Sequence, residues 1–158
     1  MLYRIFAITL LTASLIGCAS NQAGPIGTAQ FDSLAKGQLR PGSQNVLLAT
    51  RAAWAKDAHG YMVSTLDVSI AGVLVLSDTH LAFSVWHEER QEYLRMAYIP
   101  YADVAFVEVA SFGMGRRLVV RSRDASQSFE LLTEHSTIDR ELTEKAAAII
   151  TSKLSGKN

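Results

Sequence analysis

Gly72-Val73-Leu74-Val75-Leu76-Ser77-Asp78-Thr79-His80-Leu81-Ala82-Phe83 is two apolar runs around a short polar turn. With Asp78-Thr79 as the turn, Leu76 faces Leu81 and Leu74 faces Phe83 on one side, while Val75 faces Ala82 on the other. The two sets do not conflict. A slip of one residue would carry each set to the opposite face, so a hairpin in this register is the expected structure.

The same pattern continues outward. From Val46 onward the chain is a series of short apolar runs separated by turn residues, which reads as a mostly antiparallel sheet. Tyr93 to Ile99, with Leu94, Met96 and Tyr98 alternating, and Val104 to Ala110, bounded by Pro100 and by Gly113 and Gly115, are both expected strands. A second hairpin centred on Asp124-Ala125 would set Leu118 against Leu131 and Val120 against Phe129, with Arg121, Ser128 and Glu130 on the other side. The period then changes. Ile138, Leu142, Ala146, Ile149 and Lys153 or Leu154 recur at three and four, the spacing of an amphipathic helix. Ser136 or Thr137 is a suitable cap. A helix from Thr137 to Leu154 would be about 27 Å long and could close one end of a small barrel.

Glycine-led Gly72–Leu76, the Ser77-Asp78-Thr79 turn, a second strand ending at Phe83, the segment Ile99-Pro100-Tyr101-Ala102-Asp103-Val104 and a terminal helix resemble the pleckstrin-homology (PH) superfold in its GRAM and bacterial PH-like forms. The resemblance runs from about Val46 to Leu154. It implies a mainly β domain with a C-terminal α-helix: a split barrel of two near-orthogonal antiparallel sheets capped by one helix, assigned here to residues 45–158. Between Asp57 and Ile70 the chain departs from the simple pattern with a lengthened first connection. Such a fold is a platform, and fold alone does not assign function.

The amino terminus carries a different signal. Arg4 precedes the apolar stretch Ile5 to Ile16, too short for a comfortable membrane span but suited to a signal peptide over residues 1–17. It ends in Leu15-Ile16-Gly17-Cys18, which resembles the lipobox of bacterial lipoproteins. That resemblance implies cleavage before Cys18, diacylglycerol on its sulfur and acylation, palmitate included, of the new amino terminus. Several chains make dissociation from a membrane negligible. Ala19 and Ser20 follow with no aspartate, which by the same resemblance points to the periplasmic face of the outer membrane in a Gram-negative envelope. Residues 18–44, with Gly24, Pro25, Gly27, Gly37, Pro41 and Gly42, read as a flexible tether in which Phe31 and Leu34 could dock on the domain.

Bulk composition narrows the remaining choices. Of 158 residues 49% are hydrophobic and 19% charged, with formal net charge +0. Such a chain is not disordered and has no global field to draw nucleic acid, so no nucleic-acid partner is expected. The single cysteine excludes an internal disulfide and any site of several thiolates. His59, His80, His87 and His135 lack ligand spacing. His80, at a turn, and His135, before the helix, are expected to be exposed, so neither metal nor cofactor is anticipated. Gly113-Met114-Gly115 is followed by a strand, not by the helix a phosphate loop requires. No serine, histidine and acid form a legible triad, and the chain is read as a non-enzyme.

Two surfaces remain as candidate partner contacts. Arg117 and Arg121, with Arg123, share one strand face, where nearby Asp124 and Glu130 suggest a mixed-charge solvated surface. Tyr61 and Met62 lie in the lengthened connection and are residue types enriched at contacts. The function expected is a lipid-anchored envelope lipoprotein whose PH-like domain binds a protein partner or acts as a scaffold. The alternative is a binder or carrier of lipid or a small hydrophobic ligand.

Overall fold

The computed structural model describes residues 23–31, 45–56, 69–112, 115–123 and 125–155. Strands β1 (Val46–Lys56), β2 (Ile70–Ser77), β3 (His80–His87) and β4 (Glu92–Pro100) lead into a single 3-10 turn at Tyr101–Asp103. Strands β5 (Val104–Phe112), β6 (Gly115–Ser122) and β7 (Ser126–Leu132) follow, then helix α1 (Arg140–Ser155). The spatial order is β4-β3-β2-β1-β7-β6-β5, and every pair is antiparallel. Strand β1 belongs to both halves. Arg51 lies opposite Val73 on one side and Leu132 on the other, and Trp54 lies between Ile70 and Phe129. Helix α1 packs over β5, β6 and β7. The chain is thus mainly β with one C-terminal helix, a PH-like split barrel whose edges are β4 and β5.

The first hairpin has the register read from its sequence, with Leu74 opposite Phe83, Val75 opposite Ala82 and Leu76 opposite Leu81. Gly72 stands just before this pairing, opposite Ala52 of β1, and is glycine for a steric reason. A Cβ there would meet the backbone oxygen of Ser84 and stand 2.6 Å from the Phe83 ring. Leu74, Leu76, Leu81, Phe83, Leu118, Val120, Phe129 and Leu131 are buried together with Ala146 and Ile150 of α1 and form the main core. Their alternation along the strands is what places them on one face.

Three expectations are corrected. In the second hairpin Leu118 lies opposite Phe129 and Val120 opposite Gln127, two residues away from the expected pairing. The turn closes earlier, with Ser122 N donating to Ala125 O at 2.9 Å. A two-residue slip keeps every side chain on its face, so the hydrophobic pattern cannot detect it. In β4, Ala97 pairs with Phe83 and Arg95 with Ser84, leaving Met96 as an extra residue in a bulge. The bulge reverses the facing of the strand before it. Tyr93 is therefore buried on the outer side of the sheet and Ala97 and Ile99 in the core, while Met96 is exposed, contrary to a Leu94-Met96-Tyr98 apolar row. Finally, α1 begins at Arg140 rather than Thr137. Its cap is Asp139, whose carboxylate accepts from Leu142 N at 2.9 Å. Ser136 has φ +60°, Ile138 bridges to Leu132, and Ile138 is left exposed.

Candidate functional site

The turn that defines the fold is also a buried polar knot. Ser77 Oγ accepts from the backbone N–H groups of Thr79 and His80 at 3.2 and 3.1 Å and donates to the His80 carbonyl at 3.0 Å. His80, expected at an exposed position, is fully buried. Its Nδ1 lies 2.9 Å from Thr79 Oγ1 and 3.1 Å from Ser77 Oγ, and its ring stacks at 4.5 Å on Tyr98. The burial arises because the Ile99-Pro100-Tyr101 segment closes over the turn. Tyr101 N donates to Thr79 O at 3.0 Å, and its phenol donates to Ser77 O at 3.1 Å. Burial, and secondarily the Asp78 carboxylate, raise the Tyr101 phenol well above its ordinary range. A histidine so enclosed is a structural member of the turn.

His87 is partly buried and accepts from Arg90 N at 3.3 Å within the β3–β4 turn, whereas His135 is exposed. Among the described residues no three His, Cys, Asp or Glu side chains come together as a metal site. Arg117 is held by Glu130 at 2.6 Å and Arg121 by Glu108 at 3.3 Å, and Arg121 also lies over the exposed Phe106 ring. These arginines alternate with carboxylates across β5, β6 and β7, as on a mixed-charge outer face. Cys18, His59, Tyr61 and Met62 lie outside the described residues.

The segment expected to be tether is, from Ala23 to Phe31, packed against the barrel. Ala23 and Phe31 are buried with Val73, Val75, Trp86 and Tyr93 in a second apolar cluster on the outer side of β2, β3 and β4. Phe31 meets Tyr93 edge to face at 5.7 Å, and Tyr93 meets Trp86 at 5.0 Å. The Tyr93 hydroxyl donates to Ala23 O at 2.7 Å. Gly24 has φ +63°, and a Cβ there would lie 2.7 Å from Trp86 Cγ, so the backbone approaches the indole as only glycine allows. We refer to residues 23–31 as the strap.

Between the strap and the barrel lies an open cleft of about 680 Å³. Ile26 and Phe31 of the strap form one wall, Ala49 and Arg51 of β1 the floor, and Leu132 with Glu134 and His135 the far side. Arg51 is partly buried, and its Nε is shielded from water and makes no hydrogen bond to any described residue. Its charge acts on the neighbouring phenol. Burial pushes Tyr93 up to about 12 while Arg51 pulls it down. Sequence reasoning singled out the clustered Arg117 and Arg121 and missed Arg51, because nothing in Ala49-Thr50-Arg51-Ala52 shows that a segment from another part of the chain covers it. The hint available was apolar: Ile26 and Phe31 are large residues in an otherwise small and polar stretch.

No family model matches the chain and no curated protein matches it. Among solved structures 42 chains match. One is Vav1 inhibited by an allosteric inhibitor, with a TM-score of 0.54 at 11% identity over 80% of this chain. The chain spans 33% of the length of that Vav1 chain. At this identity the likeness is one of fold.

Proposed function

We propose that this chain is a lipid-anchored lipoprotein of the bacterial cell envelope, facing the periplasm from the outer membrane, and that its PH-like barrel is a non-enzymatic module that docks a protein partner along the β5 edge. The anchor rests on Leu15-Ile16-Gly17-Cys18 behind a short apolar leader. The docking role rests on β5 itself. It is a nine-residue edge strand that carries the exposed Phe106 beside the helix-capped side of the barrel. An exposed edge supplies backbone donors and acceptors that a partner strand can pair, and an aromatic side chain supplies contact area.

The strap adds a geometric consequence. Ala23 is five residues beyond Cys18, so a docked strap holds the barrel within about 18 Å of a lipidated cysteine. The alternative, a carrier with an interior cavity, is disfavoured by a core whose Leu74, Leu76, Leu81, Phe83, Leu118 and Phe129 are fully buried against one another.

Two measurements test the reading. Cys18→Ser should abolish incorporation of labelled palmitate and move the protein out of the membrane fraction, and retention there would remove the anchor. A photo-crosslinking residue at Phe106 should give an adduct of defined mass in intact cells, while the same residue at the exposed Ala148 of α1 should not. Equal labelling at both positions would remove the β5 edge as the docking place.

A further inference from the structure

Strand β1 is paired with β2 from Val46 to Trp54, but with β7 only from Arg51 to Lys56. The stretch that β7 leaves open is used by neither the anchor nor the β5 edge. We propose that the free side of Val46–Thr50 docks an extended peptide strand of a partner protein, which follows in the cleft the line that β7 abandons, runs antiparallel to β1 and sets an acidic side chain beside Arg51.

Three observations carry this assignment. The first is the backbone. After Leu132 the chain leaves the sheet in a turn that satisfies itself. Thr133 N donates to Thr137 O at 2.8 Å, and Thr133 Oγ1 accepts from His135 N and Thr137 N at 3.3 Å. Successive residues of an antiparallel ladder turn their N–H and C=O groups to opposite sides. Every second residue of Val46–Thr50 therefore presents both groups to a side on which no described strand pairs with them. The largely polar cleft lies against this edge at Ala49 and Thr50, where a main chain finds partners.

The second is the sequence of the edge. Exposed edges are ordinarily guarded by charges or proline, as β4 is by Glu92, Arg95 and Pro100. Val46-Leu47-Leu48-Ala49-Thr50 has neither, apart from the bulge at Leu47, and Val46 and Leu47 are exposed.

The third is charge. Arg117 and Arg121 each pair with a carboxylate, whereas Arg51 is partly buried, forms no ion pair with a described residue, and has a shielded Nε without a hydrogen bond. A residue added opposite Ala49 shares its face with Arg51 and stands diagonal to it, within reach of a long side chain. An acidic group there meets the guanidinium where solvent screens less than at an open surface. Glu134 opposes this from the exposed rim, where screening is stronger. With Ile26 and Phe31 on one wall and Glu134 and His135 on the other, the slot admits a single strand rather than the face of a second barrel.

The test uses the full chain in mild detergent. In the free protein the cleft-facing amides of Val46–Thr50 should exchange with solvent faster than those of Ala52–Trp54, which lie between two strands. A displayed library of random nine-residue peptides is then selected on the chain, and the enriched peptides are synthesised. These should carry Asp or Glu and should shift the amide resonances of Val46–Thr50 saturably. N-methylation of alternate peptide amides should abolish binding, while N-methylation of the intervening ones should be tolerated. Lys in place of the peptide's acid, or Arg51→Gln in the protein, should weaken binding by about tenfold or more. The peptide replacement carries the charge test if Arg51→Gln does not fold. Cleft-facing amides as protected as those of Ala52–Trp54 would overturn the assignment, since the chain itself would then fill the edge. Resonances that move with protein concentration alone would put a second copy there and overturn it equally. So would a library without enrichment, peptides that bind only at β5, or an affinity indifferent to N-methylation or to the acid.

Discussion

The phenolic hydroxyl of Tyr93 donates to the carbonyl oxygen of Ala23 at 2.7 Å, a bond buried from water that joins residues 70 positions apart. It is a polar fastening of the strap, with Phe31 and Trp86 packed around the same ring. Tyr93→Phe keeps the ring contacts but leaves a buried carbonyl without its donor. The expected cost is about 1–3 kcal/mol in urea unfolding, with faster amide exchange across residues 23–31. Unchanged exchange would mean that the Tyr93 hydroxyl is not needed to hold the strap.

The same group makes the strap sensitive to alkali. Burial raises the folded Tyr93 phenol to about 12 from an ordinary 10.0. The folded state thus favours the protonated form, and a phenolate cannot donate to Ala23 O. This contribution is complete below pH 10.0 and is lost as pH climbs through the folded value of about 12. Trp86 fluorescence followed upward from pH 9 should report strap release in that window, and the transition should be absent in Tyr93→Phe.

Gly72→Ala tests the close approach at the start of the first hairpin. The added methyl would press on the Ser84 carbonyl of the paired strand and on Phe83, which is fully buried and cannot swing away. Overpacking typically costs about 1–3 kcal/mol, and a backbone neighbour places this case at the upper end. A urea midpoint equal to that of the parent chain would show that β2 and β3 can spread at this point.

The helix start gives a paired comparison. Asp139→Ala removes the carboxylate that accepts from Leu142 N and should destabilise the protein by about 1 kcal/mol. Thr137→Ala removes an exposed hydroxyl contact to Thr133 and should cost less. Thermal unfolding of the two variants side by side distinguishes them, and the reverse order would place the functional cap before Ile138.

How much of this was legible in advance follows from the kind of signal each feature leaves. The first hairpin was readable to the residue because Asp78-Thr79 sits symmetrically between two unbroken alternations, each slip of one residue being penalised on both faces. The terminal helix was readable from its three-and-four spacing, although its first turn was placed too early. Ile138 continues the apolar period in sequence but pairs with Leu132 in space. The second hairpin was readable in facing and not in register. Arg117 and Arg121 were correctly placed on one outer face, yet their carboxylates come from different strands, Glu130 of β7 and Glu108 of β5.

By itself, then, the sequence determined the mainly antiparallel fold, its core-facing residues and its closing helix, because a period of two or of three to four is written locally and burial enforces it. Tertiary structure alone decided the Met96 bulge that turns Tyr93 outward, the burial of His80 under Tyr101, and the strap that converts Arg51 from a strand residue into the floor of a cleft. Each of these depends on where a distant segment comes to rest, and the energy that places it is shared among contacts far apart in sequence, such as Tyr101 with Ser77, 24 residues apart, and Tyr93 with Ala23, 70 apart. No local periodicity carries that information.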